Sequence, residues 1–212
     1  MFTGIIEEVG SLERLNINGN SGTIKIKASK VLEGTRLGDS ISVNGICLTV
    51  TKLSDDGFCA DVMAETVRRS GLRSLHPGNR VNLERAMSAE GHFGGHIVSG
   101  HIDGTGVIRR MERDENAVWI TVGVSEELLR GIVMKGSIAI DGVSLTVADV
   151  TDSDFSVSVI PHTGEETILL TKRSGDSVNI ETDVIGKYVE KMLGGYKSNS
   201  GLTMDYLEKI GF

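Results

Sequence analysis

An internal duplication constrains the fold of this chain more than any other feature. Residues 40–50 recur as residues 137–147, and six of the eleven positions are identical at an offset of 97. The same offset relates residues 78–84 to residues 175–181. Two copies of one pattern predict two similar domains in tandem, with the joint near Ile97.

Within each copy the apolar residues alternate as they do in half-buried β-strands. Ile24 and Ile26, and likewise Ile41 and Val43, are separated by a single polar residue. The Asn-Gly pair after Val43 fits either a type I′ hairpin turn or a bulge within a strand. Several short strands with glycine at their turns predict a small all-β barrel or sandwich.

The last part of the chain follows a different pattern. Its apolar residues are spaced as on one face of an amphipathic helix: Ile185, Tyr188, Val189, Met192 and Leu193. A further short turn is expected after Thr203, which can cap it. Since the first copy has no counterpart of this tail, the apolar stripe is not needed to close a barrel. It packs either on another subunit or on the second barrel, and the sequence leaves both open.

Composition and charge narrow the classes of function. A net charge of −7 argues against a nucleic-acid-binding protein, which needs a basic surface. No apolar run has the length of a membrane span, and the first residues lack the basic and apolar regions of a signal peptide. Since the chain contains only two cysteines, the sequence predicts a reduced, cytoplasmic protein.

One exchange within the repeated stretch changes its chemistry. Cys47 in the first copy corresponds to Ser144 in the second. A free cysteine usually acts as a small apolar residue. Here both copies keep a small polar group, and Thr49 or Thr146 follows two residues later on the same face of the strand. The pattern predicts two related sites with unequal roles.

Three of the five histidines lie close together, at His92, His96 and His101. Imidazoles at short spacing can bind zinc. This segment is rich in glycine, however, and has neither a helix to fix the spacing nor a CxxC motif nearby, so we favour no metal site. Each histidine can instead bind a substrate or exchange a proton. His101 is the best placed, beside the repeated Gly100.

Two charged residues have no charged counterpart in the first copy. Asp183 ends the last strand where the first copy has Ala86, and Lys135 corresponds to Gly38. Such differences arise when duplicated halves specialise, and also by drift at solvated positions. The glycine-rich segments fit neither a P-loop nor a dinucleotide-binding unit, so no nucleotide phosphate site is predicted.

Four motifs of this sequence are specific when taken together. They read Met-Phe-Thr-Gly-Ile at residues 1–5, Asn-Gly-Ile-Cys-Leu-Thr-Val at 44–50, Gly-Gly-His-Ile-Val-Ser-Gly-His at 94–101 and Ile-Asp-Gly-Val-Ser-Leu-Thr-Val at 140–147. With these motifs in the same order and spacing, the chain resembles the riboflavin synthase family from Met1 to about Leu193.

The resemblance implies an all-β fold of two tandem six-stranded Greek-key β-barrels, at residues 1–97 and 98–184, followed by a C-terminal α-helix. The tail at residues 185–212 would build a homotrimer, and an association with lumazine synthase is a further expected partner interaction. Each active site would lie between the N-terminal barrel of one subunit and the C-terminal barrel of another.

The family's reaction is a dismutation that uses no metal or redox cofactor. A four-carbon unit passes between two molecules of 6,7-dimethyl-8-ribityllumazine, giving riboflavin and 5-amino-6-(D-ribitylamino)uracil. The C7 methyl group of a lumazine is acidic, so a base such as His101 can take its proton. A thiol or hydroxyl can add at C7 of the partner molecule. The sequence does not decide which residue has which role.

The resemblance also implies which residues form the sites. The positions implicated in catalysis are Phe2, Cys47, His101, Ser144 and Asp183. The expected lining of the N-terminal pocket is Gly4, Ile5, Ile6, Cys47, Leu48, Thr49, Asp61, Val62, Met63, Ala64, Glu65 and Thr66. The expected lining of the C-terminal pocket is Gly100, His101, Ile102, Lys135, Ser144, Leu145, Thr146, Ser158, Val159, Ile160, Pro161, His162 and Thr163, with only the backbone of His162 carried over.

Two other classes of function are alternatives. The non-catalytic relatives of the family bind a lumazine or a flavin as an optical antenna and lack much of the catalytic set, whereas all five catalytic positions are filled here. A barrel that binds single-stranded nucleic acid needs basic grooves and exposed aromatic side chains. Since aromatic residues make up only 4% of this chain, that alternative is disfavoured.

Overall fold

The structure, a computed structural model, describes residues 1–19 and 21–194. The turn expected after Thr203 lies outside these residues. In the described part, twelve strands form two closed antiparallel barrels of six strands each. This confirms the all-β fold class and the two tandem barrels that the duplication and the resemblance predicted.

The first barrel is built from six strands that follow one another around it in the order β1-β2-β5-β4-β3-β6. They are β1 (Glu8–Asn18), β2 (Ser21–Lys27), β3 (Ser40–Val43), β4 (Ile46–Ser54), β5 (Gly57–Val62) and β6 (Arg80–Arg85). Since β3 does not lie beside β2, the chain crosses over between them, as in a Greek key. The short helix α1 (Ala64–Arg69) follows β5, and single 3₁₀ turns occupy Lys30–Leu32 and Gly71–Ser74.

The second barrel repeats this order as β7-β8-β11-β10-β9-β12. Its strands are β7 (Gly104–Asp114), β8 (Ala117–Gly123), β9 (Ser137–Ile140), β10 (Val143–Val150), β11 (Asp154–Val159) and β12 (Ser177–Thr182). Its helices are α2 (Glu126–Arg130), α3 (Pro161–Glu166) and a 3₁₀ turn at Leu169–Thr171, and α4 (Val184–Gly194) follows the barrel. Helix α3 corresponds to α1 at the offset of the repeat.

The alternating residues fill the interior of each barrel. Ile24 and Ile26 are fully buried, while Lys25 between them pairs at the surface with Glu13. Such alternation follows from the two-residue period of a strand. The turn after Val43 has positive φ at both central residues, 48° and 81°. It is therefore the type I′ hairpin turn and not a bulge.

The two hairpin turns meet where the barrels contact each other. Gly45 and Gly142 approach so closely that a Cβ on Gly45 would lie 2.8 Å from the backbone nitrogen of Gly142. The buried Asn82 amide donates to the carbonyl of Asp141 at 2.9 Å. Asn179 donates in the same way to the turn of the first barrel, at 2.8 Å. These reciprocal contacts fix the two barrels about an approximate two-fold axis.

Helix α4 confirms the amphipathic pattern of the tail. Its apolar residues are between 49% and 67% exposed: Ile185, Tyr188, Val189, Met192 and Leu193. An ion pair between Lys187 and Asp103, at 2.6 Å, holds the helix against the second barrel. The stripe therefore does not pack on that barrel in the single chain. In residues 1–19 and 21–194 we find no helix with the length and apolar character needed to cross a membrane.

Candidate active site

The segments that precede the two barrels cross over each other. Phe2 and Val98 pair as a short antiparallel bridge, and the N–H of Phe2 donates to the carbonyl of Val98 at 2.7 Å. Beyond this bridge the N–H of Ser144 donates to the carbonyl of Gly4 at 2.8 Å. The N–H of Cys47 donates to the carbonyl of Gly100 at the same distance. Each barrel is thus completed by the segment that leads into the other.

Two glycines make this close approach possible. A Cβ on Gly4 would lie 2.6 Å from the facing serine Cβ, and a Cβ on Gly100 would lie 2.5 Å from the facing cysteine Cβ. Both glycines also have positive φ, at 77° and 81°, which other residues adopt at a cost. The carboxylates of Glu84 and Glu181 each accept the N–H of one of these glycines, at 3.0 Å. Burial raises the pKa of Glu84.

This crossover concerns two segments of the predicted pocket linings. The family resemblance implied residues 4–6 for the N-terminal pocket and residues 100–102 for the C-terminal pocket. In the structure Ile6 packs on the core of the second barrel, and Ile102 packs on the core of the first. The register of the repeat cannot reveal this, because both segments keep the same spacing to the barrel that follows them.

A cavity of about 310 Å³ opens beside Cys47, within the size range of small-molecule sites. Its wall consists of Ile46, Cys47, Met63, Glu65, Thr66, Arg69, Ser70, Gly100, His101 and Ile102. The structure therefore brings Cys47 and His101 to one cavity, although they are 54 positions apart in the sequence. A larger cleft of about 680 Å³ runs between the first barrel and the linker and contains His92, but none of the five positions implicated in catalysis.

The second barrel holds a different pair at the equivalent place. The Nδ1 atom of His96 lies 2.7 Å from the Oγ of Ser144. His96 is buried, and this burial lowers the pKa of its imidazole, an effect that the nearby Asp183 carboxylate partly offsets. A neutral imidazole at this distance can accept the proton of the hydroxyl, as in a nucleophile–base pair. Its other nitrogen, Nε2, has no hydrogen-bond partner in the described part of the protein.

From the sequence, His96 is only one of three neighbouring histidines, and no specific partner is predicted for it. The structure separates them, since His92 lies at the cleft, His96 at Ser144 and His101 at Cys47. Within residues 1–19 and 21–194, no group of three potential ligands is arranged to hold a metal ion. The partner of His96 lies 48 residues away, so no local pattern could identify it.

Two of the positions implicated in catalysis have a clear structural role. Phe2 is completely buried and packs with Val98, Ala139 and Cys47, so its ring positions the thiol. Asp183 is half-buried, and its Oδ1 accepts the N–H of Ile185 at 2.9 Å. This bond caps the first turn of α4.

The other predicted lining residues fall into two groups by exposure. Buried side chains that point into the barrels are Leu48, Val62 and Val159. Exposed or half-buried side chains beside the sites are Ile5, Thr49, Asp61, Ala64, Leu145, Thr146, Ser158, Ile160, Pro161, His162 and Thr163. The first group can offer a ligand its backbone, whereas the second can offer side chains.

Lys135 adopts an unusual backbone conformation beside β10. Its φ is 65°, in the left-handed region, and its N–H donates to the carbonyl of Val147 at 2.8 Å. Gly38 makes the equivalent bond in the first barrel with φ of 91°. Strained backbone of this kind is found most often at functional sites.

We expect Lys135→Gly to raise the free energy of unfolding by up to about 1 kcal/mol, because the left-handed conformation is strained in lysine and not in glycine. If the resemblance places Lys135 correctly in the C-terminal pocket, ligand binding to the second barrel should weaken in the same variant. Denaturant unfolding and fluorescence titration measure the two effects. The reverse exchange, Gly38→Lys, is the matched control and should destabilise the first barrel. A loss of stability in Lys135→Gly would contradict this reading.

Comparisons with known proteins cover both barrels. Residues 3–86 and 99–183 each match the lumazine binding domain family. A riboflavin synthase of Actinobacillus pleuropneumoniae is 51% identical over 215 positions, covering 100% of both chains. One of Bacillus amyloliquefaciens is 52% identical, also over 100% of both. The crystal structure of LumP complexed with 6,7-dimethyl-8-(1'-D-ribityl) lumazine has a TM-score of 0.78 and 27% identity, covering 86% of this chain and 99% of that one.

Proposed function

The chain belongs to the riboflavin synthase family, and we propose that it catalyses the dismutation of two 6,7-dimethyl-8-ribityllumazine molecules. A four-carbon unit passes from one molecule to the other, and the products are riboflavin and 5-amino-6-(D-ribitylamino)uracil. The observation that carries this proposal is that two positions related by the repeat have different side chains around them. Cys47 and His101 line one cavity in the first barrel, while Ser144 bonds His96 in the second.

In the proposed mechanism the second barrel activates one lumazine. Burial keeps His96 neutral near pH 7, because it lowers the pKa of the imidazole. The Ser144 hydroxyl, 2.7 Å from Nδ1, passes its proton to His96 as it takes one from the acidic C7 methyl group. General-base catalysis of this kind contributes roughly 100- to 10,000-fold to a rate. The carbanion that forms is the nucleophile of the transfer.

The first barrel holds the lumazine that takes part as the partner. The Cys47 thiol, or a water that His101 orients, adds at C7 of this molecule and prepares it for the transfer. The cavity of about 310 Å³ gives room for one flat ring system with its ribityl chain. Holding two ring systems in contact removes much of the entropic barrier to a bimolecular reaction.

The two lumazines that react are proposed to bind to different chains. Within one chain the buried Phe2 packs with Cys47 and with Ala139, the residue paired with Ser144. We propose a homotrimer in which the first barrel of one chain faces the second barrel of the next. The exposed apolar stripe of α4 supports this assembly. We also propose that the protein acts in the cytoplasm, since its two cysteines are free. An association with lumazine synthase is a further part of the proposal.

A turnover experiment tests the proposed function. Purified protein is incubated with 6,7-dimethyl-8-ribityllumazine, and riboflavin is followed by its fluorescence and by chromatography. We expect steady formation of riboflavin with the aminouracil as second product. LumP is structurally similar, so a non-catalytic antenna is the second candidate. Tight binding of lumazine without any riboflavin would favour that candidate, and no binding would contradict both.

A further inference from the structure

The wall of the cavity beside Cys47 has an apolar part and a polar part. Ile46, Met63 and Ile102 form the apolar part. The polar part comes from α1 and the residue that follows it: Glu65, Thr66, Arg69 and Ser70. A carboxylate on such a wall can accept hydrogen bonds from the O–H and N–H groups of a ligand. How firmly the cavity holds a ligand therefore depends on where the Glu65 carboxylate is kept.

Two arginines of α1 bond this carboxylate. Oε1 of Glu65 accepts the Nε–H of Arg69 at 2.8 Å, and Oε2 accepts an Nη2–H of Arg68 at 2.7 Å. The bond from Arg69, followed by that from Arg68, lowers the pKa of Glu65, so the carboxylate is charged near neutral pH. All three side chains are more than half exposed. An exposed ion pair by itself holds a side chain only weakly.

Arg69 has a second set of charged neighbours, which distinguishes it from Arg68. It lines a cleft of about 290 Å³ between the barrels as well as the cavity, whereas Arg68 belongs to the lining of neither. The pKa of Arg69 is raised first by the bond to Glu65 and then by the charges of Glu127 and Asp103. The other charged residues that line the cleft are, in chain order, Asp103, Glu127, Lys187 and Glu190. Three carboxylates against one ammonium group attract the guanidinium group of Arg69 towards the second barrel.

The backbone beyond α1 is tied to the second barrel too. Two residues after Arg69, the N–H of Gly71 donates to Oδ1 of Asn179 at 2.8 Å. The end of the helix is thus fixed at the place from which Arg69 reaches both the cavity and the cleft. The repeat confines this arrangement to the first barrel, because the second barrel has His162 and Glu166 at the positions that correspond to Glu65 and Arg69.

We propose that Arg69 is a positioning residue of the first-barrel site: it holds the Glu65 carboxylate on the cavity wall, and carboxylates of the second barrel hold Arg69. The inference rests on the proposed function, since the ligand is 6,7-dimethyl-8-ribityllumazine, whose ribityl hydroxyls are donors of the kind that a carboxylate accepts. Arg68 cannot replace Arg69, because it is not anchored outside α1. Charged residues of one barrel thereby set the affinity of the other barrel in the same chain.

The reactivity of the Cys47 thiol reports binding to this cavity alone. The protein is treated with iodoacetamide at increasing concentrations of 6,7-dimethyl-8-ribityllumazine, and peptide mass spectrometry separates the alkylation of the two free cysteines, Cys47 and Cys59. The ligand concentration that halves the alkylation rate of Cys47 measures the affinity of the first-barrel site. Cys59 lies on β5 and does not line the cavity, so its rate corrects for general reactivity.

Arg69→Ala should raise this concentration roughly three- to tenfold, the effect of weakening one hydrogen bond to the ligand. The matched control Arg68→Ala should change it by less than about twofold. Arg69→Lys keeps the positive charge without the planar fork and should retain part of the affinity. In turnover, Arg69→Ala should raise KM and leave kcat nearly unchanged, as expected of a residue that acts on binding. Equal effects of the two alanine variants, or no effect of Arg69→Ala, would overturn the proposal.

A change in the second barrel tests whether it anchors Arg69. Glu127→Gln should weaken the protection of Cys47 roughly twofold or more in the unaltered chain but not in the Arg69→Ala chain, because the two residues act in one network. Glu126→Gln is the control, since its carboxylate pairs with Arg130 at 2.8 Å. The same effect of Glu127→Gln in both chains would overturn the anchoring. These shifts in a protein that forms no riboflavin would contradict the proposed function only, and a lumazine that never protects Cys47 would overturn both.

Discussion

Replacing His96 by glutamine is expected to lower the rate of riboflavin formation by roughly 100- to 10,000-fold, the usual contribution of a general base. The reason is the contact between Nδ1 and the Ser144 hydroxyl at 2.7 Å, which glutamine cannot replace as a proton acceptor. Ser144→Ala should cause a loss of similar size. Because the two groups act as a unit, the double variant should be little worse than either single one.

The pH dependence of the rate distinguishes a base from a structural residue. Since burial lowers the pKa of His96 below its ordinary value of 6.5, the imidazole stays neutral as the pH falls to that value. The rate should therefore hold down to about pH 6.5 and fall below it as the base becomes protonated. In the glutamine variant this dependence should disappear. His92→Gln, at the cleft, is the control and should keep both rate and profile, whereas equal rates for His96→Gln and the unaltered chain would refute the assignment.

Introducing charge on the apolar stripe of α4 should convert the assembly into monomers. Tyr188 and Met192 are 63% and 67% exposed in the single chain, and burying a large apolar side chain contributes about 1.5–3 kcal/mol. Tyr188→Asp/Met192→Asp removes that contribution from every subunit contact at once. Light scattering should report the mass of one chain, and riboflavin formation should fall with the loss of assembly, because each site is proposed to form between two chains.

Glu190→Gln provides the matched control on the same helix. Its side chain lies at the cleft between α4 and the second barrel and not on the apolar stripe, so the mass of the assembly should not change. A trimer that persists in the double aspartate variant would show that α4 does not drive assembly. A monomer that retains full activity would contradict a site shared between chains.

Much of the fold follows from the sequence because its determinants are local or repeated. The period of two at Ile24 and Ile26 fixes which side of β2 faces the core, and the helical spacing from Ile185 to Leu193 fixes α4. Because of the repeat at an offset of 97, an element predicted in one barrel is also predicted at the corresponding residues of the other. The repeated Asn-Gly and Asp-Gly turns were ambiguous in sequence, and the positive φ values decide for the hairpin.

The features that the sequence could not provide depend on contacts between the halves. The crossover of residues 4–6 and 100–102 leaves the register of the repeat unchanged, so the sequence alone does not show which barrel each segment contacts. The pairing of His96 with Ser144 joins a linker to a strand of the second barrel. The strained backbone of Lys135 likewise cannot be predicted from the sequence. Its correspondence to Gly38 was, however, a sign that this position has an unusual backbone conformation.

The exchange of Cys47 for Ser144 now has a structural context. Each residue donates its N–H to the carbonyl of the crossing glycine and lies at the same place in its barrel. The neighbours differ, since the thiol lines a cavity together with the exposed His101, whereas the hydroxyl bonds the buried His96. Two sites of one fold thus offer two chemistries, as a reaction between two identical molecules with different fates requires.

Transfer of the four-carbon unit between two lumazines is the central claim, and isotope labelling tests it most directly. The protein is incubated with an equal mixture of unlabelled and uniformly carbon-13-labelled 6,7-dimethyl-8-ribityllumazine, and the riboflavin formed is analysed by mass spectrometry. We predict that riboflavin labelled only in the transferred four-carbon unit appears as often as uniformly labelled riboflavin. Riboflavin that is either wholly labelled or wholly unlabelled, or no riboflavin at all, would contradict the account.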